Sequence, residues 1–167
     1  MSLTAPVRYS MRPVNPIAIN SYPVRSGMTI YYGALVGIST VGVTDGRLVN
    51  WSSASGALRF CGIAQPTQQV SAGSGTSGQV TGNAAGTIEC PVSEGGIILE
   101  NVSVTGLSAN QNVGDPVFAT DENTFTLTQT SNVGAVGVIS RYITGTRGDI
   151  QLYSKMEYNA NENVGKV

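Results

Sequence analysis

The chain has 167 residues, 41% hydrophobic and only 11% charged, with a formal net charge of −1 and no histidine. That length suits one domain with an arm or a large insertion, and it is enough to bury a real core. The missing histidine removes the commonest general base and metal ligand at neutral pH, and with it Ser–His and Cys–His nucleophile systems. The balanced charge argues against a general nucleic-acid binder.

Gly, Ser, Thr, Asn and Val dominate and Lys occurs twice. Such a composition favours β-branched strands joined by Gly/Asn turns, so the fold class is all-β. No stretch of ten or more residues keeps a helical period; the nearest is Leu107 to Asn112, good for one turn.

Residues 1–25 hold Pro6, Pro13, Pro16 and Pro23. Proline forbids a helix interior and a central strand, so this segment is expected to be an extended N-terminal arm. It is too apolar and aromatic for an inert disordered tail. Val7, Arg8, Tyr9, Met11, Arg12, Val14, Ile17, Ile19, Tyr22 and Arg25 need a surface to lie on. The sites singled out as contacts to another subunit or partner are Arg8, Tyr9, Arg12, Val14, Ile17, Ile19, Tyr22 and Arg25. The N-terminus lacks the apolar run of a signal peptide, and no stretch is apolar and long enough to span a bilayer as a helix, so no membrane partner is expected.

Residues 26–153 form the β-domain. Strands are expected near 28–32, 34–38, 47–51 and 57–65, with Trp51 as a core anchor. Residues 71–86, rich in Gly and Ser, read as a flexible loop. A phosphate-cradling loop would end in Gly-Lys-Ser/Thr, and no lysine is near. Strand resumes at Thr87 to Val92 and Ile97 to Val104, and Pro91 suggests an edge position. Gly114-Asp115-Pro116 makes a turn into the short strand Val117-Phe118. Asp121-Glu122-Asn123 turns the chain back along Thr124 to Thr128, where Phe125 and Leu127 alternate with threonines. Val136-Gly137-Val138-Ile139 and Ile150-Gln151-Leu152 follow as buried strands. Phe118, Phe125, Leu127, Val136, Val138, Ile150 and Leu152 are the expected core. Residues 154–167 read as a polar C-terminal tail.

The second half has a faint echo in the first. Residues 27–32 stand where 114–119 stand, 46–51 stand for the returning hairpin strand, and 60–64 stand for 136–138. Alternating strands and glycine turns produce such echoes in any β-protein, so duplication is one of two readings. Charge is bipolar. The first 44 residues carry arginines and no acid, whereas Arg59 to Arg141 encloses six acids and no base.

Little in the chain suggests a reacting centre. Cys61 and Cys90 sit in expected strands and read as buried free thiols rather than a disulfide; two cysteines do not make a zinc site. Asp115, Asp121 and Glu122 have no EF-hand spacing and read as turn formers before calcium ligands. No cofactor or metal is expected, and no enzyme.

The run Gly114-Asp115-Pro116-Val117-Phe118, its hairpin, Gly134-Ala135-Val136-Gly137-Val138-Ile139 and Gly148-Asp149-Ile150-Gln151-Leu152 resembles the small head decoration (capsid cement) proteins of tailed bacteriophages. Gly62-Ile63-Ala64 and Gly96-Ile97-Ile98-Leu99 fit the same pattern. The resemblance covers residues 26–153. It implies a small β-barrel or β-tulip subunit that forms a homotrimer. Such a trimer would sit on the outer surface of the virion capsid after synthesis in the host bacterial cytoplasm, with the major capsid protein as partner. The expected function is stabilising the expanded head against internal DNA pressure. Two other classes stand beside it: a carbohydrate- or receptor-binding module of a phage fibre or head, which needs several exposed rings, and a small β-barrel enzyme, which needs a pocket with perturbed carboxylates.

Overall fold

The computed structural model of the chain describes residues 5, 10–13, 18–40, 46–54, 58–66, 78–129 and 134–163. Nearly all of them are strand, turn or the loops between, as the composition requires.

In the first half, β2 (Ile19–Pro23), β4 (Leu35–Ser39), β5 (Leu48–Asn50), β6 (Leu58–Ala64) and β8 (Glu89–Ser93) form a five-stranded sheet in the order β2-β8-β6-β4-β5. Every neighbouring pair is antiparallel. The sheet returns on itself through a parallel bridge between Val24 and Leu48 and the bond from Arg25 N–H to the Leu48 carbonyl. A side pair, β3 (Thr29–Tyr31) with β7 (Gln79–Thr81), is added to this barrel.

In the second half, β9 (Ile97–Thr105), β10 (Pro116–Ala119), β11 (Phe125–Thr126), β12 (Gly137–Thr144) and β13 (Arg147–Leu152) close a barrel in the order β9-β11-β10-β12-β13-β9. All pairs are antiparallel except β11 with β9. The strand β1 (Ser10–Pro13) lies outside this circuit and pairs with the first residues of β9.

The two circuits have the same connectivity. Taken in chain order, β2, β4, β5, β6 and β8 match β9, β10, β11, β12 and β13, down to the single parallel closure. The structure therefore favours duplication over chance echo. It also corrects one assignment: the counterpart of β10 is β4, not residues 27–32, which hold the added strand β3. The other two correspondences hold.

Alternation explains the burial. Val24, Val36, Leu48, Cys61, Cys90 and Val92 fill the first barrel. Leu99, Val104, Val117, Phe125, Ile139, Ile150 and Leu152 fill the second, and Leu35, Trp51, Phe60 and Ile63 join that core from the first. The glycine of each "hydrophobic-Gly-hydrophobic" strand is a close approach. A Cβ on Gly62 would lie 2.0 Å from the Ser93 carbonyl oxygen, and one on Gly137 2.4 Å from that of Gln151. Gly62 also has φ +145°, which L residues rarely adopt.

Several expectations need correction. Leu127 and Val138 are half-buried, while Thr126 is buried. The returning hairpin strand stops at Thr126, whose hydroxyl accepts the Thr128 N–H and turns the chain away. Pro91 is on an internal strand: β8 lies between β2 and β6. Proline is tolerated there because its nitrogen faces the side where β6 has ended; its carbonyl on that side accepts the Gln65 N–H. Residues 79–81, placed in the Gly/Ser loop, form β7; residues 71–77 lie outside the described set.

Residues 155–163 of the expected polar tail form the helix α1 (Lys155–Asn163). Ser154 Oγ accepts the Glu157 N–H and Glu157 Oε2 accepts the Ser154 N–H, a reciprocal cap. The helix carries Tyr158, fully buried, onto Trp51 and Phe60.

Phe125 is 1% exposed and Met156 83% exposed. Phe125→Ala should therefore cost about 3–5 kcal/mol in equilibrium denaturation. Met156→Ala should change stability by less than about 0.5 kcal/mol.

Candidate functional site

Of the eight expected contact residues, four fall among the described residues: Arg12, Ile19, Tyr22 and Arg25. Arg8, Tyr9, Val14 and Ile17 lie outside the described residues. Arg12 stands opposite Ile98 in the β1–β9 ladder. Ile19 opens β2 and is 56% exposed. Tyr22 is half-buried and Arg25 exposed. The separate arm expected over residues 1–25 is corrected for 19–25, because β2 is a wall strand of the first barrel. Proline permits this by position. The backbones of Val24 and Ala18 bond toward β8, so by alternation Pro23 directs its missing donor away from it.

A polar cluster with long-range partners surrounds Glu94, in the turn between β8 and β9. Asn20 and Tyr22 of β2 both donate to its carboxylate. Lys155, at the start of α1, stands 3.6 Å from Glu94 Oε1, donates to the Tyr22 hydroxyl at 3.0 Å, and lies 5.0 Å from the centre of the Tyr22 ring. Cys61 Sγ is 3.9 Å from Glu94 Oε1. The Lys155 N–H binds the Glu94 carbonyl at 3.0 Å. One carboxylate thus ties a barrel strand, the turn between the barrels and the C-terminal helix.

The electrostatics follow from burial and these partners. Burial works to raise the Glu94 carboxyl, but bonds from Tyr22 and Asn20 and the Lys155 charge outweigh it and hold the group below its usual value. Burial and the bond to Glu94 push the Tyr22 phenol up to about 12. Burial alone would lower the Lys155 ammonium; its bond to the Tyr22 hydroxyl raises it instead. Burial pushes the thiols of Cys61 and Cys90 up to about 12 each. These directions suit a fixed ion-pair network. A poised acid, base or nucleophile would be tuned toward neutrality.

Asp121 accepts the Asn123 N–H and the Thr124 hydroxyl, and Asp115 accepts from the Asn112 amide. Among the described residues no group of three His, Cys, Asp or Glu side chains is arranged to hold a metal ion. Asp149, fully buried, accepts the Asn101 N–H at 2.9 Å and Arg141 Nε at 2.8 Å. It fixes the bulge where Asn101 has φ +55°. Among the described residues every aromatic ring is buried or half-buried, Trp51 fully.

The sequence reasoning missed this Glu94 network. A signal existed for its helical half, the pattern Ser154-x-x-Glu157, but nothing local links Tyr22 to Glu94 and Lys155. Comparison with protein-family models gave no match, and comparison with curated proteins gave none either.

The cluster sets a pH dependence. The folded-state pKa of Glu94 is lowered from 4.5, so its contribution is fully present above that value and is lost as pH falls through the folded pKa. Glu94→Gln should melt lower than wild type at pH 7, and the two curves should converge in acid. The raised thiols predict that Cys61 and Cys90 resist a thiol reagent at pH 8 until denaturant is added. Rapid labelling of the native protein would contradict their placement.

Proposed function

We propose that the chain is a non-enzymatic structural protein of a tailed-bacteriophage head. It binds the outer face of the expanded capsid as a homotrimer, with the major capsid protein as partner, and stabilises the shell against internal DNA pressure. It uses no cofactor. The observation that carries this reading is where the family-like residues fall. Gly114, with φ +94°, turns the chain into β10; Val117 and Phe118 wall the second barrel; Gly137 takes the close approach to β13. The residues behind the resemblance are therefore the ones that build the closed barrel.

The physical demand of the role is a stiff body that makes several contacts at once. Two barrels supply stiffness, the core of the second also taking in Leu35, Trp51, Phe60 and Ile63 of the first. Three copies in a trimer supply multivalency, so that weak single contacts add to high avidity. Residues 1–9, with Arg8 and Tyr9, supply contact residues for the capsid side.

The test uses expanded heads that lack this protein. The purified chain is expected to sediment with them and to appear in cryo-EM maps as trimers. Deleting residues 2–9 removes no described strand, so melting should stay unchanged while capsid occupancy falls sharply. Failure of the full chain to bind such heads, or binding only as isolated single copies, would sink the proposal.

A further inference from the structure

The duplicated barrels differ at one matching edge. In the second barrel, the opening stretch of β9 is paired on both sides: β13 on one, β1 on the other, with Ser10, Met11, Arg12 and Pro13 opposite Glu100, Leu99, Ile98 and Ile97. In the first barrel, the matching strand β2 is paired with β8 on one side only. No described residue pairs with the other side before Val24. The difference shows in the side chains: Ile98 is 8% exposed and Ile19 56%.

The direction of each backbone group on β2 is fixed by the bonds around it. Glu94 N–H reaches the Ala18 carbonyl and Val24 N–H reaches the Ile88 carbonyl, so residues 18, 20, 22 and 24 bond toward β8. Arg25 N–H bonds the opposite way, to Leu48. By alternation Ile19 and Ser21 direct their N–H and C=O groups outward. The edge therefore offers two donors and two acceptors at strand spacing, ended by Pro23, which has no N–H.

We propose that this edge of β2 takes β1 of a second copy of the chain, added as a strand at the subunit interface of the trimer. The internal repeat argues for the occupant: the equivalent edge on the second barrel is filled by β1. A copy of β1 already docked on its own β9 is the end strand of its sheet and has a second edge to offer. Two different edges that no described residue pairs give a head-to-tail contact, which closes as a ring when the rotation permits. Strand addition of this kind takes affinity from main-chain bonds and needs few charges. The inference rests on the trimer reading above and names where its subunits meet.

The test is Ser21→Pro. It removes an outward N–H and leaves every bond to β8, so the subunit should still fold, losing only the stabilisation that association supplies. Asn20→Pro removes a bond to β8 and serves as the folding control, expected to be destabilised. Wild type is expected to sediment at three times the 17.3 kDa chain mass, and Ser21→Pro at the single-chain mass. Ile19→Lys, which places a charge on the edge, should act in the same direction. Hydrogen exchange should show the Ile19 and Ser21 amides protected in wild type and unprotected in Ile19→Lys. A Ser21→Pro protein that remains trimeric overturns the proposal, as does wild type found as a monomer at every concentration. Head binding is scored separately on wild type. Heads decorated by a protein whose trimer survives Ser21→Pro would reject this edge and keep the proposed function.

Discussion

Trp51 is the residue through which the two barrels and the helix depend on one another. It follows β5, where the first barrel's hairpin strand ends. Its indole stands edge-on to Phe60 at 5.6 Å and to Tyr158 at 5.9 Å, and its N–H donates to the Ala119 carbonyl at 2.9 Å. Buried aromatic pairs of this geometry contribute about 0.5–1.5 kcal/mol each beyond area burial, and the buried N–H has the partner it needs. The backbone continues the seam: Ser53 N–H binds the Thr120 carbonyl, and Leu35 N–H binds that of Glu122. The turn after β10 is thus held against β4 and the end of β5. Removing the indole would leave Ala119 without its donor and Tyr158 without its seat.

Duplication explains why the halves are alike in topology and unlike in packing. The first barrel is filled by small groups such as Val, Ala and Cys and closes through the Val24–Leu48 bridge. The second holds Phe125 and several leucines, and its parallel closure is a ladder between β11 and β9. Between its first two strands the first barrel carries β3; the second has one turn of 3-10 helix at Asn110–Asn112. Closure shields the strands paired on both sides, and among the described residues the opening stretch of β2 is the barrel-wall segment of the first half that it leaves open on one side.

Much of this was legible in the residues. β4, β5, β6 and β10 fall where alternation and glycine turns put them, and Phe125 is buried as the hairpin pattern requires. What failed did so for tertiary reasons. The prolines of the first 25 residues suggested an arm, but Pro23 points its missing donor away from β8, which local sequence does not show. Pro91 suggested an edge because the early end of β6 is invisible in the chain. α1 was missed because its apolar face reduces to Tyr158, with most other positions polar. The Glu94 network joins residues 20, 22, 94 and 155, and no local signal links positions so far apart.

Charge placement bears on the proposed capsid contact. The ion pairs Lys155–Glu94 and Arg141–Asp149 lie within the chain, and each holds a turn or bulge in place. With 11% charged residues, little remains to steer a partner over distance. Contacts made by strand edges and apolar side chains act at short range and are little screened by salt. For the proposed capsid contact this means weak dependence on ionic strength and slow release once several contacts form together. Those properties fit the proposed role of a part that is fitted once and then held, in a chain with few charges, two of whose ion pairs are spent on its own turn and bulge.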